Sequence, residues 1–344
     1  MERTFVFAKT DFDRFFALLR TFGTVNAPVR VSDQSFAFKA VTDYQHIAMD
    51  ALRTILPPKK FFYPQRETLI EYSGTEIKDV PPPPDKIVLF GVHPCDLAGL
   101  KVLDTIFTAA PGDTHYSTRR ANCLIVGLGC MPDEHCFCQS VGTDKVEGGY
   151  DIFLTDIGDS FFVQVSTPSG LKLLEGAEFM SESTKADFMA CQEFWTVRSK
   201  SFKHGFDDSN LHATMDMAWD DPVWEELGSR CLSCGNCTPV CPTCYCFDIL
   251  DIASLDGQNG ERVREWDSCQ FVAFAKVAGD HNFRPGPVDR LKFWYRHKLH
   301  GFDDPYGFKT CVGCGRCTVS CPSGIDDIVG TVLKIQGNKV SLQL

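Results

Sequence analysis

Apolar residues recur along this chain with two periods, and each period predicts an element. Behind Thr10-Asp-Phe-Asp13, which suits a helix start, Phe12, Phe15, Phe16 and Leu19 fall on one helical face. Pro81 to Pro84 can be neither helix nor inner strand, so they mark a connection. The apolar run Ile87-Val-Leu-Phe-Gly91 then reads as a buried strand, Leu97 to Ile106 as a helix, and Cys123-Leu-Ile-Val-Gly127 as a second buried strand. Strand, helix and strand imply a parallel pair. A further strand is expected over Ser160 to Val165, with amphipathic helix beyond it. Asp221-Pro222 suits the N-cap and first position of a short helix, and Gly228 its stop. Farther on, Phe271, Phe274, Ala275 and Ala278 share one helical face, and Leu291, Trp294, Tyr295 and Leu299 another. The pattern predicts an α/β N-terminal domain with a short parallel sheet over residues 1–220 and a helical domain over residues 221–344.

Composition sharpens this picture. A length of 344 residues exceeds one ordinary core, in keeping with two domains. The opening residues contain no apolar run long enough for a signal peptide, so a cytoplasmic setting is expected, with the 17 cysteines reduced or metallated. No segment has the apolar length needed to cross a bilayer, and direct membrane insertion is not expected. The formal charge of −11 argues against a nucleic-acid surface.

Cys231-Leu-Ser-Cys234-Gly-Asn-Cys237-Thr-Pro-Val-Cys241-Pro242 returns with identical spacing as Cys311-Val-Gly-Cys314-Gly-Arg-Cys317-Thr-Val-Ser-Cys321-Pro322. Three thiolates two residues apart can wrap three corners of a cubane within one loop, and the fourth ligand must come from elsewhere. In the bacterial ferredoxin pattern the cysteine before proline serves the other cluster. One [4Fe-4S] cluster is therefore expected on Cys231, Cys234, Cys237 and Cys321, and a second on Cys311, Cys314, Cys317 and Cys241. Structural zinc also takes four cysteines, but usually through paired C-x2-C knuckles. The 69 residues between Cys241 and Cys311 are too many for a compact two-cluster ferredoxin. Their helical pattern points to an α-helical ferredoxin domain.

Nine cysteines remain. Cys95 and Cys130 follow the two predicted parallel strands, at the edge of an open sheet where ligands usually sit. Cys136 and Cys138 share the loop of Cys130, so a third cluster is proposed on these four. Buried free thiols, or zinc with His93 or His135, are the alternatives. Cys244 and Cys246 follow at once upon Cys241, and Cys269 precedes the expected Phe271 helix; all three are candidates to tune a cluster, act as alternative ligands or simply pack. Cys123 and Cys191 lie in apolar contexts and read as structural. Arg262, Arg264, Arg284 and Arg290 are candidates for raising potentials or docking an acidic partner, against ordinary ion pairs on solvated faces. No catalytic residue is assigned. Gly127-Leu-Gly129 follows a strand, yet the third glycine of a dinucleotide fingerprint would fall on Pro132. The chain has no P-loop and no nucleophile elbow, so neither flavin nor nucleotide is expected on this chain alone.

Pro57-Pro-Lys-Lys-Phe-Phe62, Gly91-Val-His-Pro-Cys-Asp96, Cys130 to Cys138, Cys241-Pro-Thr-Cys-Tyr-Cys246, Trp266-Asp-Ser-Cys-Gln-Phe271 and His281-Asn-Phe-Arg-Pro285 resemble the beta subunit of cytoplasmic sulfhydrogenases. The A component of anaerobic sulfite reductases is similar but more distant. The resemblance spans nearly the whole chain, with one departure, His-Pro-Cys-Asp for the family's His-Ala-Cys-Asp. It implies an electron-transfer subunit between an FAD- and NAD(P)-binding flavoprotein and a terminal hydrogenase, sulfite reductase or heterodisulfide reductase subunit. The competing expectation makes the chain itself a sulfur-compound reductase with a substrate site near Cys95 and Cys130.

Overall fold

The computed structural model describes residues 3–145, 148–301, 306–325 and 327–340. The chain opens with β1 (Arg3–Ala8), α1 (Phe12–Phe22) and the hairpin β2 (Thr24–Ser32) and β3 (Ser35–Ala40). A second hairpin, β4 (Arg66–Ser73) and β5 (Glu76–Asp79), precedes β6 (Ile87–Val92). Then come α2 (Pro94–Thr108), α3 (Thr114–Ala121), β7 (Cys123–Leu128), β8 (Ile152–Asp156), β9 (Ser160–Val165), α4 (Pro168–Leu174), β10 (Ser181–Glu182) and α5 (Lys185–Lys200). The larger sheet has eight strands in the order β10-β1-β9-β8-β7-β6-β2-β3. Its middle, β2, β6, β7 and β8, is parallel, and its flanks are antiparallel.

Side-chain alternation explains the layers. Val88 and Phe90 of β6, with Leu124, Val126 and Leu128 of β7, face the core built on Phe12, Phe15, Phe16 and Leu19 of α1. Leu89, Val92 and Ile125 point the other way, onto Leu97, Leu100, Leu103 and Phe107 of α2. Both faces of the parallel strands are therefore covered, which is why they read as unbroken apolar runs. The expected pair of parallel strands and the strand over Ser160–Val165 are all present, and the parallel part is wider than expected.

The rest comprises α6 (Leu211–Met217), α7 (Val223–Arg230), β11 (Phe247–Ala253), β12 (Asn259–Trp266), α8 (Pro287–Leu299), α9 (Arg316–Ser320) and α10 (Ile328–Val340). Leu291, Trp294, Tyr295 and Leu299 of α8 are buried, as their spacing predicts. Three expectations need correction. Gly228 lies inside α7 rather than ending it, and a Cβ there would stand 2.4 Å from Val288 Cγ2, so the glycine permits close approach of α8. Phe271 to Ala278 do not form a helix: a single 3-10 turn, Val272–Ala275, is followed by left-handed Gly279 and Asp280, which stop any helix. Nor is the insert wholly helical. β11 and β12 make a hairpin that pairs with β4 and β5 into a four-stranded antiparallel sheet, order β11-β12-β4-β5. Arg264 stands opposite Glu67 in that register and is ion-paired to it, so strands nearly two hundred residues apart are locked by a buried charge pair.

Candidate metal centres

The two cysteine loops share one backbone design. Ser233 (φ 51°) and Gly235 (φ 79°) are left-handed in the first, and Gly313 (φ 60°) and Gly315 (φ 71°) occupy the same places in the second. These turns wrap each loop around a cavity. The first cavity is lined by Cys231, Cys234 and Cys237 together with Cys321, and by Gln270, Leu291 and Trp294. The second is lined by Cys311, Cys314 and Cys317 together with Cys241, and by Phe137, Trp294 and Lys298. Each loop thus meets the cysteine that precedes proline in the other loop. Trp294, 2% exposed, is a wall of both cavities.

The donor set suits iron-sulfur clusters. Each cavity offers four sulfurs, and among the described residues neither lining contains a carboxylate or an imidazole. Trp294 Nε1–H is buried without a hydrogen-bond partner among the described residues. An orphaned buried donor is costly, and the inorganic sulfide of a cubane would accept from it.

A second layer of thiols lies behind these walls. The Cys244 thiol donates to Cys241, which holds Cys241 well below the usual thiol range and Cys244 well above it. Cys269 and Cys246 form a like pair, in which the Cys269 thiol lowers Cys246 and is itself raised. Two buried ammonium groups adjoin them. Lys298 Nζ donates to Thr243 Oγ1 at 2.8 Å and faces Cys241 and Cys244. Lys59 Nζ donates to the Cys244 carbonyl at 2.8 Å and lies 4.2 Å from the Trp266 ring centroid. Burial lowers the Lys59 ammonium to about 8, against the opposing pull of Cys244 and Cys241.

The N-terminal thiols gather where β6 and β7 end. Cys95 is in the first turn of α2, Cys130 follows β7, and Cys138 lies within electrostatic reach of Cys95, Cys130 and Cys136. Arg198 Nη2 donates to Cys138 Sγ at 3.5 Å and its Nε to the Cys130 carbonyl at 2.8 Å. Arg53 reaches Cys136 Sγ at 3.1 Å and the Cys314 carbonyl at 2.7 Å, while paired to Asp133. Burial would raise the Cys130 thiol, but His93 and Arg198 outweigh it and hold Cys130 below the usual range. His93 faces the Leu128 carbonyl through Nδ1 and the Ala51 carbonyl through Nε2, both at 2.9 Å. Two carbonyl partners demand a proton on each nitrogen. Burial opposes that charge, but Cys130 and the carbonyls prevail and raise His93 to about 9. With both ring nitrogens taken up by carbonyls, His93 offers no lone pair to zinc in this arrangement. Cys123 and Cys191 are buried and displaced upward by burial, in keeping with inert structural thiols.

The N-terminal group adjoins the second cavity rather than the first. Cys95 and Asp96 lie beside Cys314 and Arg316, and a Cβ on Gly313 would stand 2.4 Å from Cys138 N. Gly313→Ala is therefore expected to lower the thermal midpoint well beyond Gly324→Ala. Gly324 has a similar φ of 61° but nothing within 4 Å of an added Cβ, so it carries only the left-handed strain, about 1–2 kcal/mol. Equal midpoints in the two variants would show that the two loops are not in close contact.

The arginines singled out by sequence divide. Arg262 pairs with Asp251 at 2.7 Å on the surface, Arg264 with Glu67 and Asp113, and Arg284 lies 3.8 Å from the centroid of the Phe293 ring. Arg290 alone touches a cysteine loop, donating to Ser233 Oγ at 2.9 Å. Sequence reasoning missed Lys59, Lys298, Arg53, Arg198 and the shared wall Trp294. Lys59 lies within the resembling segment Pro57 to Phe62, and the periodicity had marked Trp294 only as core.

A 4Fe-4S dicluster domain matches residues 230–325. The sulfhydrogenase 2 subunit beta of Pyrococcus furiosus is 40% identical over 318 residues, which cover 92% of this chain and 94% of that protein. No solved structure matches the chain. Among the described residues, no helix is long and apolar enough to cross a membrane. With the dicluster domain laid over the thiol-lined cavities, the protein carries [4Fe-4S] clusters. The end-to-end identity establishes that the chain belongs to the family of sulfhydrogenase beta subunits.

Proposed function

We propose that this chain is the electron relay of a multisubunit oxidoreductase, carrying electrons between a flavoprotein partner that binds FAD and NAD(P) and a terminal catalytic subunit. That terminal subunit is a hydrogenase, a sulfur or sulfite reductase, or a heterodisulfide reductase. The observation that carries the reading is the sequence of thiol groups: exposed Cys234 at the first cavity, Trp294 between the cavities, and Cys95 against Cys314 leading to the N-terminal group. Bound clusters supply one-electron exchange, whereas the two-electron chemistry resides on partner chains. In this reading residues 221–344 hold two clusters, with Cys231, Cys234, Cys237 and Cys321 on one and Cys311, Cys314, Cys317 and Cys241 on the other. Residues 1–220 hold a third on Cys95, Cys130, Cys136 and Cys138, where Arg53, Arg198 and His93 offset thiolate charge. Cys244 tunes Cys241 through S–H donation, and Cys269 acts on Cys246 in the same way.

Rapid-freeze spectroscopy of the intact complex mixed with reduced nicotinamide tests the relay. Reduced-cluster signals should appear within one turnover, and clusters that stay oxidised through turnover would refute the role. The third centre is tested by iron and sulfide analysis of the anaerobically purified chain, which should hold about 12 irons. Cys138→Ala should then lose about four of them. A native value of about eight, with Cys130 and Cys138 open to alkylation, would remove the third cluster and leave the other two.

A further inference from the structure

Lys59 and Lys298 are the most deeply buried ammonium groups described, 2% and 1% exposed, and each belongs to a different half of the chain. Among the described residues no carboxylate pairs with either. Lys59 has two carbonyls, of Thr238 and Cys244, and the face of Trp266. Lys298 has the Thr243 hydroxyl and the sulfurs of Cys241 and Cys244. A buried charge without a partner is expensive to keep in a fold. The anion that answers these two is the thiolate end of the second cavity, whose wall includes both Cys241 and Lys298.

Neighbouring cations differ. Arg316 is neutralised by Asp96 at 2.7 Å and Arg53 by Asp133, so neither adds net charge. Arg290, at the edge of the first cavity, spends its guanidinium on the carbonyls of Arg284 and Pro285 and on Ser233.

We infer that Lys59 and Lys298 are tuning residues that hold up the reduction potential of the cluster on Cys241, Cys311, Cys314 and Cys317. The inference rests on that ligand assignment. A cluster bound by four thiolates is anionic and gains a further negative charge on reduction. In a buried site of low dielectric that added charge is disfavoured, and the potential falls with burial. Two buried ammonium groups beside Cys241 and Cys244 act in the opposite sense, because their attraction for the cluster grows with each electron it accepts. They keep this step of the relay accessible to electrons from either side.

The test is an EPR-monitored redox titration of the purified chain carrying Lys298→Met, Lys59→Met or the charge-retaining Lys298→Arg. Each methionine variant should lower the reduced-to-oxidised ratio of one cluster at fixed potential by at least about tenfold, a shift of about 59 mV for one electron. The other cluster signals should stay in place, and Lys298→Arg should restore most of the ratio. Iron and sulfide are measured alongside. Should Lys298→Met lose iron, Lys59→Met decides, since Lys59 is outside the cavity lining. Full iron with a potential within about twofold of the native ratio in Lys59→Met overturns the tuning role while leaving the cluster assignment intact. Native chain lacking any such cluster signal overturns the assignment itself.

Discussion

Cys321→Ala should cost the protein the same cluster as Cys234→Ala, although the two residues belong to different motifs. Both line the first cavity. Each single variant is expected to lose about four irons, and so is the double variant, because the second substitution strikes a cluster already gone. Cys321→Ala combined with Cys314→Ala should lose about eight, since Cys314 lines the second cavity. If each motif filled its own cluster, the two doubles would exchange results. The matching experiment on the other crossing needs one precaution. Cys244 donates to Cys241, and in Cys241→Ala it is placed to serve as the ligand instead. Only Cys241→Ala with Cys244→Ala should therefore behave like Cys314→Ala. In every variant that loses a cluster, electron transfer through the assembled complex should fall by orders of magnitude, because the remaining gap is bridged only by protein. Iron analysis together with nicotinamide-dependent reduction of the terminal acceptor reads both effects.

What could be foreseen in the sequence was what local spacing determines. Thiols two residues apart, with left-handed turns at Ser233, Gly235, Gly313 and Gly315, close around a cavity by covalent geometry alone. The crossing of Cys241 and Cys321 follows from the same repeat. The buried strands Ile87–Val92 and Cys123–Leu128 were also legible, because both of their faces are apolar. The hairpin of β11 and β12 was not. Its apolar residues Phe247, Ile249 and Ile252 stay exposed, and its order comes from pairing with β4, far back in the chain. Gly228 was misread for a related reason, since the contact that requires it is on α8. The charges around the thiols escaped notice for the most basic reason. A lysine or arginine looks alike in sequence whether it is solvated or buried against sulfur, and only the fold distinguishes Lys298 from Lys334, which is on the surface.

Asp96→Ala should be the most destabilising single change away from the cysteines. Asp96 is in the first turn of α2, next to Cys95, and Arg316 opens α9 between Cys314 and Cys317. They form a bidentate pair at 2.7 and 2.8 Å with side chains 2% and 3% exposed, and Arg316 Nε also donates to the Thr54 carbonyl at 3.2 Å. Removing the carboxylate leaves a guanidinium buried and uncompensated, which costs about 3–5 kcal/mol. The loss falls where the N-terminal thiols meet the second cavity, so cluster retention should suffer with stability. Because unfolding of an iron-sulfur protein is accompanied by irreversible cluster loss, the measurement is the rate at which cluster absorbance bleaches at fixed temperature. Asp96→Ala should bleach much faster than native, and so should Arg316→Met, since each leaves the other charge buried without its partner. The double variant, with no charge left to strand, should be slower to bleach than Asp96→Ala alone. Additive rates would mean that the two groups act separately, and the pair would then not be what joins the two halves of the relay.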